Sequence, residues 1–240
     1  MRPPTRFVHI ATLTLLAAPA GAQAAYPQSL TRGWEIAQEA HGDLDGDGRA
    51  EAVLVIHQND PQFVKENDSL GAQRLDLNPR ALLILKREGE GWRQLARTDT
   101  LVPPAGSLDA PCLADPLEDG GVAIVDGVLS VAFHYWLSCG SYGVTTRDYK
   151  FRLQEGRFRL IGFDRLEFSR ASGRGDEVSI NYLTGRRKSV TGITVIEPDE
   201  LDAPQAPPEE SWETITRDIL FLEDIDTDLC DSWENSPGWC

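Results

Sequence analysis

The sequence predicts an all-β protein built from antiparallel hairpins in an incomplete propeller-like arrangement, with a β-sandwich as the alternative. Three observations carry this prediction. Apolar and polar residues alternate at period two through much of the middle of the chain, as they do in half-buried strands. Turn signals centred on glycine recur near residues 46, 89, 127, 156 and 185, a spacing of about 30–40 residues that suits successive hairpins. One of these turns is Asp126-Gly127, a strong short-range hairpin dipeptide.

The N-terminus stands apart from that pattern. Arg2 and Arg6 precede an apolar run from Val8 to Ala18, and the small residues Ala20-Gly21-Ala22-Gln23-Ala24 follow. This is the layout of a secretory signal peptide over residues 1–24, too short to span a bilayer. Cleavage after Ala24 is favoured, and Ala20-Gly21-Ala22 is a second acceptable site. No cysteine lies at the junction to carry a lipid. The expected location is therefore periplasmic or secreted, without a membrane span.

The β domain is expected over residues 25–197. Trp34, Ile36 and Ala40 form a first strand at even spacing. Ala52-Val53-Leu54-Val55-Ile56 is a continuous apolar run, the mark of a strand buried on both faces. Residues 58–80, polar and interrupted by Pro61 and Pro79, read as a long insertion with room for a short helix. Ala81–Leu85 and Trp92–Leu95 flank a turn at Glu88-Gly89-Glu90-Gly91, and Val122–Val125 and Val128–Phe133 flank Asp126-Gly127. Tyr149, Phe151 and Leu153, then Phe158 and Leu160 beyond Glu155-Gly156, alternate with Lys150, Arg152, Arg157 and Arg159. A last pair, Val178–Tyr182 and Ser189–Ile193, surrounds Thr184-Gly185. Residues 198–210 hold four prolines and read as a linker. Residues 211–240 form an acidic, cysteine-containing extension.

Charge separates along the chain. The formal charge is −15, and removal of residues 1–24 takes away two arginines and no acids, giving −17. This argues against nucleic acid as a partner. Residues 145–190 nevertheless carry a net +5, and residues 197–240 a net −13. The tail is expected either to pack on the basic sheet face, anchored by Trp212, Ile215, Ile219 and Leu222, or to stay solvated. Four cysteines in an exported chain read as two disulfides with three possible pairings, of which proximity favours Cys112–Cys139 and Cys230–Cys240.

The sharpest chemical signal is Asp43-Leu44-Asp45-Gly46-Asp47-Gly48-Arg49-Ala50-Glu51. Four carboxylates within nine residues repel one another without a cation. Ca²⁺ accepts six to eight oxygen ligands at flexible distances, whereas Mg²⁺ demands tighter octahedral geometry. The cofactor expected is therefore Ca²⁺. From Asp43 as position 1, carboxylates fall at positions 1, 3, 5 and 9 and Gly48 at the sharp-turn position 6. Position 12 is Leu54, and strands flank the loop, so it is not an EF-hand.

Gly42 to Glu51 followed by Val53-Leu54-Val55 resembles the FG-GAP or VCBS-type repeat, in which such a loop joins two strands of a propeller blade. Glu51 stands where that family usually has aspartate. The resemblance implies Asp43, Asp45, Asp47, Glu51 and the Arg49 carbonyl as ligands. With Asn78–Leu85, Arg147–Arg152, Phe158–Gly162 and Ser179–Gly185, the chain looks like a group of small exported proteobacterial proteins. Some of these are VCBS-like periplasmic lipoproteins that inhibit lysozyme-like wall hydrolases. This chain lacks their lipoprotein cysteine.

A second cluster, His134-Tyr135-Trp136 with Ser141-Tyr142, combines aromatic and polar groups. Cys139-Gly140-Ser141-Tyr142-Gly143 has the outline of a nucleophile elbow, but cysteine replaces the first glycine and a strand follows it. It reads better as a glycine-rich corner and binding surface, because Tyr and Trp anchor interfaces. No catalytic residues are assigned. The expected function is a non-catalytic binding module whose partner is another exported protein or a cell-wall component. Inhibition of a lysozyme-like hydrolase is its sharpest form; an exported hydrolase and a surface adhesion module are the alternatives.

Overall fold

Glycine-centred turns and alternating side chains produce hairpins at all five expected places. The computed structural model describes residues 26–27, 32–195, 206–216 and 219–227. The expected signal peptide, most of the linker and the Cys230–Cys240 pair lie outside the described residues. Within them the regular structure is thirteen strands and two short 3-10 turns, and no helix is long and apolar enough to cross a membrane.

The first sheet has strands β1 (Trp34–Gly42), β2 (Glu51–Gln58), β5 (Arg80–Glu88) and β6 (Gly91–Thr98) in that order, all antiparallel. The 58–80 insertion supplies a 3-10 turn at Pro61–Phe63, where the Asp60 side chain accepts from Gln62 N, and a small hairpin. Its strands are β3 (Val64–Glu66) and β4 (Arg74–Asp76).

The second sheet is a seven-stranded meander. It runs through β7 (Gly121–Val125), β8 (Val128–Trp136), β9 (Gly143–Gln154), β10 (Arg157–Ser169), β11 (Arg174–Asn181), β12 (Arg186–Thr194) and β13 (Glu209–Thr214). Three hairpins are thus merged into one sheet, because β8 pairs with β9 and β10 with β11 as fully as the hairpin partners do. Asp126-Gly127 and Glu155-Gly156 close their hairpins with positive φ at both residues, the signature of a type I′ turn.

One core joins the sheets. Val53, Val55, Leu82 and Ile84 from the first pack with Phe133, Tyr149, Phe151 and Phe163 from the second. Burying a side chain of this size contributes about 1.5–3 kcal/mol. The opposite face of β2 and β5 is also buried, as Leu54, Ile56, Leu83 and Leu85 cluster with Tyr26, Trp34 and Trp92. The unbroken apolar run at 52–56 is therefore a strand covered on both faces, as expected.

The described part of the acidic tail packs. β13 extends the meander beyond β12, where Lys188 meets Glu210 at 3.1 Å and Arg187 meets Glu213 at 3.0 Å. Arg157 lies over the Phe221 ring and reaches Glu223 at 3.3 Å. Of the four expected apolar anchors two pack, Leu222 in the common core and Ile215 against it, and two do not. Leu222 and Ile225 are buried in the common core, whereas Trp212 and Ile219 are exposed. The cause is position: Trp212 sits on the outermost strand and packs over the Arg186 guanidinium instead of the core. The Cys112–Cys139 disulfide forms and ties the loop before β7 to the corner between β8 and β9.

Candidate metal centre

The carboxylate loop, residues 43–50, joins β1 to β2 between the paired residues Gly42 and Glu51. Gly42 leaves no room for a side chain, since a Cβ there would lie 2.5 Å from Ile124 Cγ2. The base of the loop is thereby pressed against β7 of the other sheet. Leu44 turns inward and is buried in the common core. Its N–H donates to Glu51 Oε2 at 2.8 Å, which fixes the glutamate at the start of β2.

Short side chains tie the rest of the loop to its own backbone. Asp43 accepts from Gly46 N at 2.7 Å and Gly48 N at 2.8 Å. Asp45 Oδ1 accepts from Asp47 N, and Asp47 Oδ1 from Arg49 N at 2.9 Å. These are local side-chain turns that aspartate makes readily. Gly46 and Gly48 have φ of 79° and 80°, which an L side chain adopts only with strain.

Asp45 Oδ2, Asp47 Oδ2 and Glu51 Oε1 take no part in these backbone bonds. Oxygens of Asp43, Asp45 and Glu51 lie within 4.8 Å of one another. That spacing is close enough for one metal ion to reach all three residues. Glu51 is completely buried, and its Oε1 has no hydrogen-bond partner. An orphaned buried carboxylate oxygen costs free energy unless a cation meets it. This atom is the strongest sign that the loop is built around a positive charge.

Lys86, near the end of β5, brings such a charge. Its side chain is largely buried, and its ammonium contacts Asp45 Oδ2, lies 2.8 Å from Asp47 Oδ2, and stands 3.7 Å from Glu51 Oε1. Hydrogen bonds to Asp45 and Asp47 push the Lys86 pKa upward. The Lys86 bond and the Arg49 N–H hold Asp47 below the usual carboxylate range. Glu51 shifts the other way: burial pushes its pKa up against the opposing Leu44 N–H, and the Asp45 and Asp47 charges add to the rise.

The structure therefore gathers Asp43, Asp45 and Glu51 directly and Asp47 through Lys86, while Arg49 is tied in by its own N–H. Lys86 carried no signal in the local motif. The register could have supplied it: Ala52 pairs with Leu85, so the preceding Glu51 and the following Lys86 stand side by side.

The aromatic cluster is assembled around two arginines. Arg170 lies over Trp136 and Tyr142 and donates to the carbonyls of Leu137 at 2.7 Å and Ser141 at 3.1 Å. Arg147 lies over Tyr135. His134 Nδ1 is 3.2 Å from Asp119 Oδ2, and the Ser141 hydroxyl accepts from Gly143 N at 2.9 Å. Each has its own partner, and no hydrogen bond joins the two. Beside this corner a cleft of about 290 Å³ is lined by Ala114, Asp115, Glu118, Asp119, His134 and Trp136. Comparisons with models of protein families, with curated proteins and with solved structures find no significant match to this chain.

Proposed function

We propose that the protein is an exported, Ca²⁺-stapled β module that binds another protein without catalysis, a lysozyme-like wall hydrolase being the sharpest candidate. The single observation that carries the metal half is Glu51 Oε1, buried, without a hydrogen bond, and facing converged carboxylates. The likeness of residues 42–55 to FG-GAP or VCBS loops agrees with it. Asp43, Asp45, Asp47 and Glu51 would hold the ion, with the Arg49 carbonyl as a further oxygen. Bound Ca²⁺ would neutralise the loop and fix the β1–β2 connection.

The binding half rests on the arginine-braced corner of Trp136 and Tyr142 and the acidic cleft next to it. Tyr142 is 65 % exposed, so it is available to a partner. Glu118 and Asp119 give the cleft mouth a negative charge suited to a basic partner. A non-catalytic reading is favoured because Ser141 and His134 are each engaged elsewhere. Export rests on the 1–24 sequence.

The test is a wall-lysis assay in which the purified chain is added to a lysozyme-like hydrolase, with Ca²⁺ or with chelator. The expected result is slower lysis that is relieved by the double variant Trp136→Ala/Tyr142→Ala. Undiminished lysis, or clearance of wall material by this chain alone, would overturn the reading.

A further inference from the structure

Two of the oxygens that a Ca²⁺ would need are oxygens that Lys86 now occupies. Asp45 and Asp47 each spend Oδ1 on a backbone N–H and present Oδ2 to the ammonium. Glu51 likewise spends Oε2 on Leu44 N and points Oε1 toward the same nitrogen. An ammonium and a divalent ion cannot share Asp45 Oδ2 and Asp47 Oδ2, because each needs them at direct contact and the two repel.

We propose that Lys86 is a built-in competitor of the metal, which expels the Lys86 head group into solvent when it binds. This rests on the Ca²⁺ reading above and adds what governs the site. The lysine neutralises part of the loop when Ca²⁺ is scarce, so the β1–β2 connection stays closed without an ion. It also lowers the affinity, since binding must break the Asp45 and Asp47 contacts. Lysine suits this role better than arginine: a compact ammonium on a flexible stem can swing away while its methylenes stay packed. The side chain is 15 % exposed, so it is not sealed from solvent.

The experiment pairs a calorimetric Ca²⁺ titration of the full chain and its Lys86→Gln variant with amine labelling of the wild type, read by mass spectrometry. Lys86→Gln is expected to bind Ca²⁺ at least about tenfold more tightly while melting at a lower temperature than wild type in chelator. Labelling of Lys86 in the wild type is expected to rise on addition of Ca²⁺. Equal affinities, or labelling that Ca²⁺ leaves unchanged or reduces, would overturn the competition while leaving the metal site standing. Absence of saturable binding in both proteins would remove the metal site and the competition together. Should the variant fail to fold, the labelling result on the wild type decides.

Discussion

Two cations on one strand meet carboxylates in opposite ways. Arg80 opens β5, and Lys86 stands six residues further along it. The Arg80 fork grips a single carboxylate, with Nη1 and Nη2 each 2.6 Å from an Asp115 oxygen, and it is 9 % exposed. Charge balances there, and Leu117 N adds a third bond to Asp115. Lys86 instead faces Asp45, Asp47 and Glu51, with Asp43 alongside, so one lysine meets a group of four carboxyls. A balanced, bidentate pair holds the fold in place. An unbalanced cluster with an orphaned oxygen is where the proposed ion would add the missing charge.

The largest expected effect breaks the balanced member. Arg80→Ala leaves Asp115 partly buried and unpaired, and should cost about 3 kcal/mol in urea denaturation whether or not Ca²⁺ is present. A loss that Ca²⁺ repairs would erase the distinction between the two clusters. Next in size is the ion itself. Ca²⁺ at about 100 times its dissociation constant should add roughly 2.7 kcal/mol and raise the melting temperature by about 5–10 °C. Glu51→Gln should abolish that rise, and Arg80→Lys should leave it intact.

A smaller effect separates the loop from the tight turns. Gly48→Ala forces a side chain into φ of 80° with open space around it, and Gly156→Ala does the same at 82°. Each should cost about 1–2 kcal/mol in thermal or urea melts. Only Gly48→Ala should also weaken Ca²⁺ binding.

The smallest effect is the pH dependence, in which the two clusters have opposite signs. Burial pushes Asp115 up, but Arg80 and Leu117 N outweigh it and leave its pKa lowered. Its contribution is full above the ordinary carboxylate value and is lost as pH falls through the lowered one. The Glu51 pKa is raised, so the protonated form is favoured in the fold and stability rises as pH falls through that raised value. In chelator, the stability of wild type relative to Glu51→Gln should therefore improve on acidification from neutral pH. Asp115→Asn should blunt the loss seen at still lower pH. Urea midpoints across that range check both signs.

How much of this was legible in the sequence follows from the range of each interaction. Asp43, Asp45 and Glu51 were readable because their spacing is local, and the five hairpins because each turn carries its own glycine. The merging of three hairpins into one meander was not, since pairing of β8 with β9 and of β10 with β11 is settled by neighbours that no single turn specifies. Lys86 was missed because it arrives from another strand, although two apolar runs of equal length, 52–56 and 81–85, hinted at the register. Asp115 lies in a loop without periodicity, so its pairing with Arg80 left no trace. In the tail, Leu222 was foreseen as an anchor and Trp212 was misjudged, because hydrophobicity alone does not say which strand ends on the edge.

The central claim, that the unbalanced cluster is a cation site, is tested most directly by calorimetric titration of Ca²⁺ into the full chain and into Glu51→Gln. One saturable site in the wild type and none in the variant is the predicted result. Titrations without saturable binding in the wild type, or indistinguishable between the two proteins, would contradict it.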